Sequence, residues 1–434
     1  MASDPSMEQT AAGLATTKGI EGDLRISKAE RRVLRDLASR VAELAARPIE
    51  KEKALLWKQH NDLEEVRPPI FCDPENGWNE IVTQNQILCV KPLFRVWEMA
   101  LRKEIFWGAE MGDDRVIEPY FNVPYSYTDS EWGIAEVKIG GEHGGAYMWE
   151  APISDYERDF PRICFPSITV DYDTTRKIVD LAEDILCDIL PVRLRGNWWW
   201  TLGLTWDFVR LRGLNDFMLD MYDNPDWVHK MMKFLSDGIL AKLDFLEANG
   251  LLSLNTEGSY VGSGGFGWTS QLPQEDFNAA HVRTIDMWGF AESQETVGIS
   301  PDMFAEFVFP YQLPILERFG LNCYGCCEPI DPRWHVVRKL PRLRRVSTSP
   351  WADRRKMAQL LGKEYIISLK PSPTPLAEAK MPDSLVREGL HRDLLATKGC
   401  RVELIMKDNH TLGGNPDNAV RWCRIAREEI ERIY

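Results

Sequence analysis

Three of the nine cysteines in this 434-residue chain lie within five positions, at Cys323, Cys326 and Cys327. They follow a short apolar run and precede Glu328-Pro329, a pair typical of a turn. Thiols at a strand end, beside a carboxylate, could form a metal site or supply a nucleophile. Alternatively, these small side chains pack in a crowded core, as free cysteines often do. The accompanying glycine and carboxylate favour the functional interpretation.

Other chemically capable side chains stand at the ends of predicted strands. They are Glu257, Glu292, Glu295, Ser349, Lys370, Asp408 and His410. Zinc takes Cys, His and Asp or Glu ligands, and a catalytic zinc needs only three ligands from the protein. Thiols, carboxylates and one histidine at one place therefore match a zinc set. The Cys-x-x-Cys pair of Cys323 and Cys326 has no second pair, which argues against a structural zinc ribbon.

Alternating strands and helices must position these residues. The predicted strands lie within residues 68–72, 192–197, 251–255, 287–291, 320–324, 345–349, 365–369 and 402–406. Such alternation predicts an α/β protein with a parallel sheet, and the length favours a closed (β/α)8 TIM-type barrel over an open sheet. In such a barrel, the carboxyl ends of the strands converge on one mouth.

Three regions are expected along the chain. Residues 1–26 are expected to be a flexible leader, and residues 27–65 an N-terminal helical extension. Ser27 and Glu30 form a capping-box pattern, and Pro48 separates two helical stretches. The extension would pack on the main domain or on a second subunit, which leaves a homodimer open. Residues 66–434 are expected to be the barrel.

The barrel region carries an insertion at about residues 115–170. It is rich in aromatic residues, glycine and β-formers, and includes Gly140-Gly141-Glu142-His143-Gly144-Gly145. This run lacks the lysine and following helix of a phosphate loop, so it predicts a hairpin or a flexible lid. His143 could reach a site from there, although an ordinary exposed histidine is the alternative.

Composition narrows the classes of protein. The net charge of -14 argues against nucleic-acid binding, which needs a clustered basic surface. No apolar run approaches the roughly 20 residues that span a bilayer, and the polar start does not resemble a secretory signal. The odd number of scattered cysteines argues against a disulfide framework. We therefore expect a cytoplasmic protein without a membrane partner.

Three stretches resemble patterns of the uroporphyrinogen decarboxylase superfamily. They are residues 211–232 with Asp223-Asn224-Pro225, residues 291–311 with Gly298-Ile299-Ser300-Pro301, and residues 410–420 with His410-Thr411-Leu412-Gly413-Gly414-Asn415-Pro416. The resemblance covers residues 66–434 and implies the barrel fold of that superfamily.

The superfamily contains two chemistries: cofactor-free decarboxylation of a tetrapyrrole, and zinc-dependent methyl transfer involving a corrinoid protein. The arginine-rich signature of the decarboxylases does not occur in this sequence. The methyltransferases carry His-x-Cys where this chain has residues 322–327, and a later cysteine near His410. The resemblance implies a mixed zinc site that departs from this pattern. Its expected ligands are Cys326, Cys327, His410 and Glu328, with Glu292 or Glu295 as alternative carboxylates.

The resemblance thus implies a methyltransferase acting between a small substrate, such as a methoxylated aromatic or methylated compound, and a corrinoid protein, thiol or folate. Zinc would act as a Lewis acid on an acceptor thiol or a methoxy oxygen. The expected catalytic residues are His410, Glu292 and Glu257. Stacking and guanidinium contacts are expected to bind substrate at Trp199, Trp268, Trp288, Arg195 and Tyr324, although core packing is the alternative for any single tryptophan.

Two other functions fit parts of this sequence. A metal-free carboxy-lyase would use His410 and a strand-end arginine on an acidic substrate, and would keep its activity after chelation. A corrinoid- or tetrapyrrole-binding protein without catalysis would use the aromatic side chains alone.

Overall fold

The computed structural model of the chain describes residues 24–140 and 147–434. Residues 1–23 of the expected leader and His143 lie outside these ranges. The architecture is mixed α/β, with a central six-stranded parallel sheet and helices around it. The sheet strands are β1 (Ile70–Cys72), β8 (Trp288–Ala291), β9 (Leu321–Tyr324), β10 (Leu343–Thr348), β11 (Ile366–Leu369) and β12 (Arg401–Met406).

The sheet order is β1-β12-β11-β10-β9-β8, so the first strand pairs with the last. Ile70 is in register with Leu404, and Cys72 with Met406. Almost every residue of these strands is buried. This fits their near-continuous apolar sequences, because parallel strands are covered on both faces.

Six further strands form three separate pairs. β2 (Phe121–Pro124) pairs in parallel with β7 (Val192–Arg195). β3 (Tyr127–Asp129) and β6 (Ile168–Val170) are antiparallel, as are β4 (Val137–Gly140) and β5 (Tyr147–Glu150). The last pair lies on either side of residues 141–146, and this part of the run expected to form a hairpin or a lid lies outside the described ranges.

The described ranges also contain fifteen α-helices. Their bounds are α1 Lys28–Ala45, α2 Pro48–Asn61, α3 Trp78–Ile81, α4 Pro92–Phe106, α5 Tyr156–Asp159, α6 Tyr172–Leu186, α7 Thr205–Arg212, α8 Leu214–Asp223, α9 Pro225–Ala248, α10 Pro301–Phe307, α11 Phe309–Leu316, α12 Trp334–Val337, α13 Arg354–Leu361, α14 Asp383–Ala396 and α15 Asp417–Ile433.

The described strands do not form a closed hydrogen-bonded ring, and residues 251–255 form no strand ladder. Side chains replace ladders at two places. Asn255 bonds both the N–H and the C=O of Trp288 through its side-chain amide, at 2.9 Å each. At the other edge, Asp114 accepts a hydrogen bond from the N–H of Ile70 at 2.8 Å. These side-chain contacts, with single backbone hydrogen bonds from Asp114 N–H to Ile70 C=O at 2.8 Å and from Leu202 N–H to Phe290 C=O at 2.9 Å, link the six-stranded sheet to neighbouring segments.

The N-terminal helices pack onto the rest of the chain. The expected capping box of Ser27 and Glu30 begins α1. His60, near the end of α2, is buried with its Nε2 3.1 Å from Glu403 Oε2 on β12. Glu403 Oε1 in turn lies 2.9 Å from Arg345 Nε on β10. Although burial opposes ionisation, Arg345 and His60 lower the pKa of Glu403 to about 2.

A glycine-rich loop, residues 262–265, packs against one face of the sheet, next to Cys323 on β9 and Ile405 on β12. A Cβ at Gly264 would stand 2.3 Å from Ile405 Cγ2, and a Cβ at Gly262 would stand 2.8 Å from Cys323 Cβ. Both glycines have positive φ, at 130° and 67°. Only glycine combines this backbone conformation with such close approach.

Candidate active site at the strand ends

Side chains alternate between the two faces of each strand. We call the face that carries Arg345 and Glu403 the interior face. The contact of Arg345 with Glu403 places both residues on the same side of the sheet, with β11 between their strands. Side chains two residues apart share a face. Ser349 and Lys407, each four residues further on, therefore face the same interior at the carboxyl ends of β10 and β12.

We call this end of the sheet the mouth and define it by Asp73, Cys326, Ser349, Lys370 and Lys407. Each of these residues follows the carboxyl end of a different strand. All five are buried, with at most 8% of their surface exposed. Of the residues expected at strand ends, Cys326, Ser349 and Lys370 belong to this group, which also includes Asp73 and Lys407.

The two adjacent thiols at the mouth are in close contact. Cys326 Sγ lies 3.7 Å from Cys327 Sγ, and Ser263 Oγ donates a hydrogen bond to Cys326 Sγ at 3.1 Å. The hydrogen bond with Cys327, the charge of Lys407 and the Ser263 hydroxyl together outweigh burial. They lower the pKa of Cys326 to about 7. The same contact and burial raise the pKa of Cys327.

Lys407 interacts through its charge with Cys326 and lies close to two carboxylates. Its Nζ lies 3.7 Å from Glu75 Oε1 and 3.6 Å from Asp408 Oδ1. Burial raises the pKa of Glu75 to about 8, against the opposing charge of Lys407. Glu75 and Asp408 both have positive φ, at 46° and 62°. Non-glycine residues adopt this conformation at a cost, and such strain clusters at functional sites.

A cavity of about 140 Å³ lies beside the mouth. Its lining combines aromatic side chains with polar and charged ones. The aromatic lining residues include Trp198, Trp199, Trp200, Trp288, Phe290 and Tyr260, and the polar or charged ones include Arg115, Arg195, Glu104, Glu118, Asn122 and Asn255. Pockets with apolar walls and a few polar groups are typical binding sites for small molecules.

The cavity and the thiol are adjacent. Cys326 belongs to one buried cluster with Val261, Trp288 and Phe290, which also line the cavity. Lys407 Nζ stands 5.6 Å from the centre of the Trp200 ring at the cavity wall. The buried hydroxyl of Tyr260 has no hydrogen-bond partner among the described residues. The cavity therefore adjoins the buried cluster that contains Cys326, although Cys326 itself is not among the lining residues.

The residues expected to bind zinc have other surroundings. Both carboxylate oxygens of buried Glu328 accept backbone N–H groups, from Ser293 at 2.8 Å and from Cys326 at 2.9 Å. The side chain of His410 is exposed. Within residues 24–140 and 147–434, no group of three or more His, Cys, Asp or Glu side chains is arranged to hold a metal ion. The expected ligand set does not fit zinc in this geometry.

The expected catalytic glutamates differ from each other. Glu292 is fully buried, its Oε1 has no hydrogen-bond partner among the described residues, and burial with nearby Glu295 raises its pKa strongly. Burial and the neighbouring carboxylates therefore favour the protonated form of Glu292. Glu257 is half exposed and pairs with Arg193 at 2.8 Å. Arg193 Nη2 also lies 3.7 Å from Oε2 of Glu118, a cavity-lining residue whose pKa is raised by burial.

The expected substrate-binding residues divide into two groups. Trp199, Trp288 and Arg195 line the cavity. Tyr324 is fully buried and donates its hydroxyl hydrogen to Gln312 Oε1 at 2.7 Å, so it is a structural core residue. Trp268 is half-buried and is not among the cavity-lining residues. Tyr324 points to the helix-covered face, opposite Cys323, and its expected role in substrate binding stays a prediction.

Sequence patterns did not single out Tyr260, Ser263 or Lys407 for this site. Ser263 has a local signal, because it stands between glycines in a run that needs close backbone approach. Lys407 directly follows the predicted strand at residues 402–406. Tyr260 carries no comparable signal, since its position depends on a loop that returns to the interior.

Comparisons with known proteins identify neither a family nor an activity. No protein-family profile and no curated protein matches the sequence. Among solved structures, the chain is similar to one described as a methyltransferase from Methanosarcina mazei, with 13% sequence identity and a TM-score of 0.48. The similarity covers 87% of this chain and 98% of that chain. No helix in the described ranges is long and apolar enough to cross a membrane.

Proposed function

We propose that this protein is a methyltransferase in which the Cys326 thiolate receives or relays the methyl group. The observation that carries the proposal is a buried thiol with a pKa of about 7 beside an aromatic-lined cavity. The thiolate is the nucleophilic form of cysteine, and a nearby cation makes it available at neutral pH. The sulfur–carbon bond forms as the bond from the methyl carbon to its donor atom breaks. The donor atom leaves with the electron pair.

The surrounding residues have separate tasks in this proposal. Ser263 donates a hydrogen bond to the Cys326 thiolate, and the charge of Lys407 stabilises it. Trp199 and Trp288 in the cavity wall orient a flat or methoxylated substrate. Glu292, whose protonated form is favoured by burial, is assigned the task of protonating a departing oxygen.

The second methyl carrier in the proposal is a thiol, a folate or a corrinoid held by a partner protein, as the sequence resemblance implies. Zinc stays a prediction from that resemblance. Because the expected ligands do not fit it, no step here passes through a metal. The closed (β/α)8 barrel of the superfamily belongs to the same proposal, with β2 and β7 as part of its wall.

The carboxy-lyase alternative receives less support from the geometry. It assigns proton handling to His410, whose side chain is exposed, outside the buried group of residues that forms the mouth. A carboxylate substrate would still find Arg195 in the cavity.

Methylation of the purified protein tests the proposal. Incubation with methylcobalamin, or with a methyl sulfonate ester as a chemical donor, is expected to add one methyl group to Cys326, located by peptide mass spectrometry. Cys326→Ser should lose this product, whereas Cys187→Ser, at an exposed cysteine, should retain it. Methylation spread over exposed cysteines with Cys326 unmodified would contradict the proposed role of this thiol.

A further inference from the structure

Lys370 is a buried lysine whose side chain forms no ion pair within the described ranges. It follows the carboxyl end of β11, and only 2% of its surface is exposed. Among the residues that the structure describes, its side chain makes no ion pair and one long hydrogen bond, to Ser368 Oγ at 3.4 Å. Buried charges in proteins are normally paired, because removing an ion from water is costly.

The charged groups near Lys370 are engaged elsewhere. Glu403 is paired with Arg345 at 2.9 Å, and Asp408 lies 3.6 Å from Lys407. The thiolate of Cys326 is held by Ser263. Lys407 thus has carboxylate partners and Lys370 has none, although both point into the same interior.

A second unpartnered polar group stands beside Lys370. Ser349 ends the neighbouring strand β10, is fully buried, and its Oγ has no hydrogen-bond partner in the described ranges. The N–H of Lys370 bonds the carbonyl of Thr348 at 3.0 Å, so the two strand ends are in direct contact. Both Ser349 and Lys370 face the interior by strand alternation, since Ser368, two residues before Lys370, interacts with Glu403.

We propose that Lys370 and Ser349 form an oxyanion subsite that holds a carboxylate of the substrate near the Cys326 sulfur. An ammonium and a hydroxyl can bind one carboxylate by charge-assisted hydrogen bonds. Binding would supply the counter-ion and the acceptor that these side chains lack. This inference rests on the proposed function, because it takes Cys326 as the reacting group. It defines the substrate class as an anionic, carboxylate-bearing molecule.

Paired alkylating reagents test the subsite without knowledge of the substrate. Iodoacetate carries a carboxylate, and iodoacetamide is its neutral counterpart of similar size. In both reactions the Cys326 sulfur bonds to the CH2 carbon and iodide leaves with the electron pair. The rate of Cys326 modification is measured by peptide mass spectrometry with each reagent, and the ratio of the two rates is compared with that of the exposed Cys187.

We expect a higher ratio of iodoacetate to iodoacetamide rates at Cys326 than at Cys187. Lys370→Met should lower the Cys326 ratio by about tenfold, because a charge-assisted contact is lost. Any general effect of that variant on the thiol changes both rates together and cancels in the ratio. Ser349→Ala should lower the ratio less, and provides a second variant if Lys370→Met folds poorly. Lys339→Met, at an exposed lysine, should leave it unchanged.

The outcomes separate this inference from the proposed function. If Cys326 reacts with iodoacetamide but shows no preference for iodoacetate, the subsite is refuted and the nucleophilic thiol stands. If Cys326 reacts with neither reagent while Cys187 does, both are refuted. A preference that survives both Lys370→Met and Ser349→Ala also refutes the assignment of these two residues.

Discussion

At the scale of single residues, Cys326 and Cys327 are adjacent in sequence but chemically unlike. Cys326 is the buried member, receives the Ser263 hydrogen bond and has its pKa lowered to about 7. Cys327 is partly exposed and has its pKa raised, chiefly by its contact with Cys326. One thiol therefore carries the negative charge and the other keeps its proton. Two interacting thiols titrate as a pair, so the first proton lost belongs mainly to the site of Cys326.

The alkylation rate of the wild type should follow this difference. With iodoacetamide, we expect modification of Cys326 to rise through about pH 7 and level off above it, because only the thiolate reacts. Lys407→Gln removes a favourable charge and should move the midpoint to higher pH. The measurement is the rate of Cys326 modification between pH 5 and pH 10. An unchanged midpoint in Lys407→Gln would show that this ammonium does not stabilise the thiolate.

At the scale of elements, the glycine loop of residues 262–265 positions the hydroxyl at the thiol. It passes through the interior between β9 and β12, where side chains on Gly262 or Gly264 would overlap neighbouring atoms. The loop therefore contributes function through its lack of side chains. Ser263 is held between these glycines, and its Oγ is directed at Cys326 by backbone geometry.

Gly264→Ala tests this role of the loop. The new Cβ would meet Ile405 Cγ2 at 2.3 Å, so the loop must shift and Ser263 must leave Cys326. We expect the alkylation rate of Cys326 at pH 7 to fall about fivefold, in line with the loss of one hydrogen bond to a charged group. Gly389→Ala is the control, since it lies within α14 with open space around it and alanine favours helices. Equal alkylation rates of Cys326 in both variants would show that the loop does not activate the thiol.

At the scale of the whole molecule, residues 251–255 lie beside β8 without a strand ladder. Side-chain hydrogen bonds connect the two segments instead. Asn255 occupies the place of a missing strand by bonding both backbone groups of Trp288. The same residue lines the cavity. The contact between Asn255 and Trp288 therefore forms part of the cavity wall, and Asn255 is one of its polar lining residues.

Asn255→Ala should weaken this contact. It leaves the N–H and C=O of a buried strand residue without partners, and each buried orphan costs about 1–3 kcal/mol. We expect the free energy of unfolding, measured by urea denaturation, to fall by about that amount or more. Asn249→Ala, at an exposed residue after α9, should change it by less than about 0.5 kcal/mol. A change in Asn255→Ala no larger than in this control would contradict the structural role.

The sequence allowed some of these features to be predicted for clear physical reasons. Apolar runs between helical patterns identified all six strands of the central sheet, because buried parallel strands lack polar alternation. Strand ends pointed to Cys326, Lys370 and Ser349. The zinc ligands could not be assigned in the same way, since the position of His410 after β12 does not determine whether its side chain turns inward. The direction of Tyr324 was equally open from the sequence.

Pairing of β1 with β12 has a consequence for synthesis on the ribosome. His60 and Glu403, whose side chains are in contact, are 343 residues apart in the chain. At a translation rate of about 5–20 residues per second, the nascent β1 waits roughly 20–70 s for its partner. During that time Ile70 and Phe71, both buried in the finished protein, have no sheet to join. Molecular chaperones that shield short apolar segments would therefore act on this chain at its first strand, and release it only after the last strand emerges.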